Sequence, residues 1–119
     1  MPVKLKNSQI ELLVDLPTEN YQGARFDHCG KIVSLKYEGI CLSGSETGNK
    51  DADPISGQGF YNEFGIDLPL NFDKTPVGDW FHKIGVGLLK KSNSPYFFKN
   101  VYEVKPLSFK VEYSPTKIV

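Results

Sequence analysis

Ile10-Glu11-Leu12-Leu13-Val14-Asp15-Leu16 carries apolar side chains at every second position, with Glu11 and Asp15 between them. That is the two-residue period of a strand with one buried face. The stretch after it, Pro17 to Gly23, combines Pro, Asn and Gly and predicts a turn. Ala24-Arg25-Phe26-Asp27 is a short strand candidate. Val33, Leu35 and Tyr37 alternate again, and Glu38-Gly39 predicts a tight turn into Ile40-Cys41-Leu42. Residues 24–42 therefore point to an antiparallel meander.

Downstream, Trp80, His82, Ile84, Val86 and Leu88 occupy one face of an expected long strand. Phe81, Lys83, Gly85, Gly87 and Leu89 take the other. Two glycines on one face let a ring, a backbone or a ligand approach closely. Ser92 to Pro95 predicts a turn and Tyr96 to Val104 an aromatic extended segment. Leu107, Phe109, Val111 and Tyr113 predict a last strand, and nothing in Ser114 to Val119 suggests a closing element. Residues 43–54 lack apolar periodicity and predict a long exposed loop. Residues 55–79 predict irregular structure rich in Gly and Pro. No stretch predicts a helix. The expectation is all-β: one antiparallel β-sandwich domain over residues 1–119, with the exposed loop 43–54.

Composition supports sheet. The 119 residues include eight Phe, six Tyr and one Trp, types that favour pleated, half-buried surfaces. The 14 cations and 14 anions cancel. No basic block exists to neutralise a phosphate backbone, so nucleic acid is not an expected partner. No segment has the roughly 18 apolar residues of a membrane span, and Met-Pro-Val-Lys-Leu-Lys lacks a signal core. A cytoplasmic location is the expectation. Cys29 and Cys41 then read as free thiols.

Several constellations bear on chemistry. Asn49, Asp51 and Asp53 open with calcium-loop spacing, but Pro54 stands where such a loop needs Gly and Phe60 where it needs Glu. No metal is expected. Gly57-Gln58-Gly59 begins a dinucleotide pattern that Asn62 breaks, and no strand–helix unit surrounds it. His28 and His82 are the side chains suited to proton transfer at neutral pH. His82, on an apolar strand face, is expected in the core, and His28, beside Asp27, at an exposed turn. Arg25 is the only arginine. Two residues apart on one strand, Arg25 and Asp27 suit the adjacent hydroxyls of a sugar, one donating in a fork and the other accepting. A mutual ion pair is the competing and preferred assignment. Glu63, within Tyr61-Asn62-Glu63-Phe64-Gly65, is a carboxylate among rings that can hold a sugar, or a surface group in a turn.

Gly23-Ala24-Arg25-Phe26-Asp27-His28-Cys29-Gly30, followed by the strand Ile32 to Tyr37, resembles a segment of the galactose mutarotase-like (aldose 1-epimerase-like) proteins. The resemblance continues at Ile55-Ser56-Gly57, at Asn62-Glu63-Phe64-Gly65 and most clearly at Phe81 to Lys91, with its Lys83-Ile84-Gly85-Val86-Gly87 core. It spans about residues 20–113 and corresponds to the N-terminal part of the family. It implies a large antiparallel sandwich that binds a monosaccharide. Active members interconvert aldose anomers: an acid protonates the ring oxygen, a base deprotonates the anomeric hydroxyl, and the ring opens and recloses without a cofactor. The family's catalytic His and Glu have no counterpart here, and Asn62 stands where this branch has Glu, so no catalytic residue is assigned. Substrate-binding candidates are Arg25, Asp27, Glu63 and His82. A neutral aldose is expected over a sugar phosphate, because no cations cluster beside the single arginine. The alternatives are a non-catalytic carbohydrate-binding or structural module, or a truncated chain. An incomplete sandwich leaves open sheet edges, which favour self-association.

Overall fold

The computed structural model describes residues 2–48 and 55–119. The Asn49-Asp51-Asp53 spacing lies outside them. The architecture is all-β, antiparallel and sandwich-like, with no helix among the described residues. Among the described residues nine short strands form three sheets. The first sheet joins β1 (Val3–Lys6), β2 (Ile10–Asp15), β3 (Lys31–Tyr37) and β4 (Ile40–Cys41) in that order. The second joins β5 (Trp80–Lys83), β6 (Gly87–Lys90) and β7 (Val104–Pro106). β8 (Tyr113–Ser114) and β9 (Lys117–Ile118) make a terminal hairpin.

The opening stretch forms the strand its alternation demands. Leu12 faces Leu5 and Leu35 across its two neighbours, and Val14 faces Val3 and Ile32. The register skips Val33, which has no partner in β2. That bulge reverses the facing of everything beyond it. Without it Lys31 would fall on the apolar face. With it Ile32 joins Val3, Leu5, Val14 and Ile118 in one core cluster, and Lys31 turns to the opposite face opposite Asp15.

Three strand expectations are corrected. Residues 24–27 form no strand; they lie in the loop between β2 and β3. The 80–88 alternation is not one strand but a hairpin that turns at 84–86. The buried face is also the reverse of the expected one: Phe81, Lys83 and Leu89 point inward, while His82 and Leu88 are exposed. Leu107 to Val111 form no strand, and the chain beyond them is a closing hairpin. Pro115 O accepts from Lys6 N at 2.9 Å, and Ile118 packs into the first cluster.

The hairpin turn depends on glycine. Gly85 has φ +80°, and a Cβ there would meet Asp27 Cβ at 2.6 Å. Its carbonyl accepts the His28 amide at 2.8 Å. At Gly87 the backbone of Lys105 approaches too closely for any side chain. The close approach expected of these glycines is thus made by backbone and by Asp27.

Phe72, Phe81, Val86, Leu89 and Ala24 form the second core cluster, with Tyr96, Tyr102 and Val104 against it. The loop 16–30 connects the two clusters. Its Tyr21 hydroxyl accepts the backbone N–H groups of Arg25 and Phe26 at 3.0 and 2.9 Å. Both thiols, Cys29 and Cys41, are free. No helix of the described residues is long and apolar enough to cross a membrane.

Candidate functional site

Arg25 is the centre of the site. Tyr21 fixes its backbone, and its guanidinium lies with its carbon 4.5 Å from the centre of the Phe26 ring and 4.8 Å from that of Phe98. Nε and Nη2 donate to the two carboxylate oxygens of Glu63 at 2.8 and 3.3 Å. Nη1 donates to Glu46 at 3.2 Å and to the carbonyl of Ile55 at 2.5 Å. The bidentate fork is the geometry in which an arginine–carboxylate pair is strongest. Both partners are mostly shielded, at 11% and 14% side-chain exposure, whereas Glu46 is 46% exposed.

Arg25 and Asp27 do not bond each other. Asp27 is buried and pairs with Asn62: its amide donates to Asn62 O at 2.9 Å, and its carboxylate accepts from Asn62 N and Nδ2 at 3.3 and 3.4 Å. The preferred ion pair is therefore corrected. The loop path, absent a strand, sends the two side chains to different partners. Glu63 is not a surface group in a turn but half of the Arg25 clamp. His82 is neither in the core nor beside Arg25. It stands on the outer face of β5, opposite Leu88, because neighbours on a strand point to opposite faces and Lys83 points in.

His28 also departs from expectation. It is 1% exposed, not at an open turn. Its Nε2 lies 2.6 Å from Gly23 O. A carbonyl only accepts, so Nε2 carries the proton. Burial holds this imidazole below its ordinary range despite that bond.

Two lysines complete the picture, and sequence reading passed over both. Lys83 points inward from β5 and donates to Tyr96 Oη at 2.7 Å. No ion pair among the described residues involves it. Burial lowers its pKa to about 8, Arg25 adds to the fall and Glu63 opposes it. Tyr96, half-buried and stacked on Tyr102 with centroids 5.6 Å apart, is held above its ordinary range by desolvation. Lys31, turned inward by the bulge, lies over the Tyr21 and Tyr61 rings at 5.6 and 5.5 Å. Its Nζ, Asp15 Oδ1 and His28 Nδ1 are buried without hydrogen-bond partners among the described residues. The one available signal for Lys83 was its phase: it shares a strand face with Phe81.

A cleft of about 490 Å³ lies elsewhere, beside β3 and β4, lined by Val33, Ser34, Cys41, Ser43 and Gln58 among others. It gathers small side chains and none of the candidate residues. Among the described residues no group of His, Cys, Asp and Glu could hold a metal ion. No family model, curated protein or solved structure matches this chain.

Proposed function

We propose that this chain is a non-catalytic carbohydrate-binding β-domain, similar to the N-terminal part of the aldose 1-epimerase-like proteins, that holds a neutral aldose against the Arg25 clamp. The observation that carries this is the arrangement of Arg25 itself. A planar guanidinium lies on the Phe98 ring, and its carboxylate partner Glu46 is half in solvent. Phe97, 49% exposed, packs on Phe98 with centroids 5.0 Å apart. A sugar presents an apolar C–H face and a rim of hydroxyls. A ring ledge beside fixed donors and acceptors meets both needs.

Anomer interconversion needs an acid and a base on either side of one sugar ring. His28 is committed to Gly23 O, and His82 stands on the outer face of β5. Glu63 is committed to Arg25. Binding without turnover is therefore the function this geometry favours.

Polarimetry separates the two. Freshly dissolved α-galactose and α-glucose are expected to equilibrate at the buffer rate with or without the protein. In parallel, saturation-transfer NMR is expected to show contact with at least one of these sugars, lost in Phe98→Ala. Acceleration abolished by Glu63→Gln would replace binding with catalysis. No contact with any neutral aldose would end the carbohydrate assignment.

A further inference from the structure

The cleft beside β3 and β4 carries a thiol in its wall. Val33, Ser34, Cys41, Ser43, Ser45 and Gln58 border about 490 Å³ of open space. Small-molecule sites occupy roughly 300–1,000 Å³. Cys41 is exposed. It lies on β4, the last strand of the first sheet, whose outer edge pairs with no strand among the described residues. A substituent on its sulfur therefore displaces neither a core contact nor a sheet neighbour.

The surroundings of that sulfur suit a thiolate. Lys36 stands directly opposite Cys41 in the register. Directly opposed residues of an antiparallel pair share one face at close range. Glu11, opposite Lys36 on its other flank, is engaged by Lys4 at 3.1 Å. Cys41 Sγ donates to Ser43 O at 3.4 Å and lies 3.6 Å from Ser43 Oγ. That hydroxyl oxygen accepts the Leu35 amide at 3.0 Å. Its own proton is left to donate to sulfur once the thiol ionises. A donor and a cation at the sulfur favour the thiolate, which is the reactive form. In keeping with this, hydrogen bonding to Ser43 and the Lys36 charge hold Cys41 below the ordinary thiol range. Cys29 is the contrast within the same chain. It is half-buried, and burial with Asp27 beside it pushes its thiol up.

We propose that the β3–β4 cleft binds a low-molecular-weight peptide disulfide and that Cys41 exchanges with it to form a mixed disulfide. Serine hydroxyls and the Gln58 amide suit the amides of a short peptide, and Lys36 suits its carboxylate. The Cys41 thiol first gives up its proton, and the thiolate attacks one sulfur of the disulfide. A new S–S bond forms as the old one breaks, and the bonding pair leaves on the departing thiolate, which takes up a proton. Cys41 is oxidised, the departing thiol is reduced, and excess thiol reverses the step. The inference does not rest on the carbohydrate assignment.

The test compares two disulfides and two thiols. The reduced, folded protein is incubated at pH 7 with glutathione disulfide or with hydroxyethyl disulfide, and the modified cysteine is located by peptide mass spectrometry. Cys41 is expected to react at least tenfold faster than Cys29. Its rate with glutathione disulfide is expected to saturate as the concentration rises, whereas that with hydroxyethyl disulfide stays linear. Lys36→Met is expected to slow the glutathione reaction several-fold at an unchanged melting midpoint, because Lys36 is exposed. Saturation at Cys41 that weakens in Lys36→Met supports the inference. Linear rates with both disulfides overturn the cleft as a peptide site. Equal modification of Cys29 and Cys41 overturns the selective thiol.

Discussion

Lys83 and Lys31 are equally buried, at 1% exposure each, yet they sit in different kinds of interior. Around Lys83 the sheet supplies Phe81 and Leu89, while Phe72, Tyr96 and Tyr102 close the cluster. The amine has a hydroxyl partner. Around Lys31 a loop supplies Tyr21 and His28, and three polar atoms lack hydrogen bonds. The first region is a packed core that contains a hydrogen-bonded amine. The second is a polar knot, placed by a β-bulge, in which those groups lack hydrogen bonds. Burial alone therefore does not indicate what a charged side chain does; the hydrogen bonds around it decide.

The packed region should be the more sensitive one. Phe81→Ala removes a ring with edge contacts to Phe72, Tyr96 and Tyr102. It is expected to cost about 3–5 kcal/mol in urea unfolding. A loss under about 1 kcal/mol would mean that this cluster is not a core. Glu63→Ala comes next. It strips the bidentate partner from a shielded guanidinium while Glu46 remains, for a loss of about 2–3 kcal/mol. A milder result for Glu63→Ala than for Lys90→Ala, an exposed pair, would break the clamp.

The pH dependence follows from the sign of the lysine shift. Lys83 is protonated less readily in the folded chain than in the unfolded one. Below about pH 8 both states hold the proton. Between there and the ordinary lysine range only the unfolded state does, so stability rises with pH. The gain is up to about 2 kcal/mol after allowance for solvent. Tyr21, raised to about 12, opposes this at higher pH, because only the unfolded state then ionises. Stability is expected to peak near pH 10, and Lys83→Met should flatten the rising limb. Denaturant midpoints from pH 7 to 11 check both. At the acid side, His28 is charged more readily when unfolded, so stability falls as pH drops through the ordinary histidine range.

Lys31→Met tests the polar knot. Removing an amine without a hydrogen bond is expected to leave stability unchanged or raise it by about 1 kcal/mol, as read by the melting midpoint. A loss above about 2 kcal/mol would show that the contacts with the Tyr21 and Tyr61 rings hold this region together. The smallest effect belongs to the sheet edge. β4 ends the first sheet with Ile40 and Leu42 exposed at 64% and 59%. Concentration-dependent sedimentation is expected at high protein concentration and should weaken in Ile40→Lys. A concentration-independent monomer would remove the edge as an association surface.

The legible parts of the sequence are those where one phase of alternation was unambiguous. β2, β3 and β4 follow from Ile10 to Leu16, Val33 to Tyr37 and Glu38-Gly39. The hairpin at 84–86 was not legible, because both phases of the 80–89 stretch carry large apolar residues. Choosing the Trp80 phase put His82 inside, whereas Phe81 and Leu89 took the core. Neither the bulge at Val33 nor the terminal hairpin leaves a periodic trace. Arg25, Asp27 and Glu63 were identified as residues, but their pairings were not. The carboxylate partners of Arg25 lie 38 and 21 positions away, across irregular chain that carries no period. A buried lysine is also the residue type that composition places outside.

The most direct test of carbohydrate binding at the clamp is the Arg25 Nε–Hε resonance during a galactose titration of the ¹⁵N-labelled protein. Arg25 is the only arginine, so that signal is unambiguous. Saturable shifts of this resonance together with the Phe97 and Phe98 amides are predicted. An Arg25 signal that stays fixed while galactose, glucose and mannose are each raised to saturating levels would contradict the account.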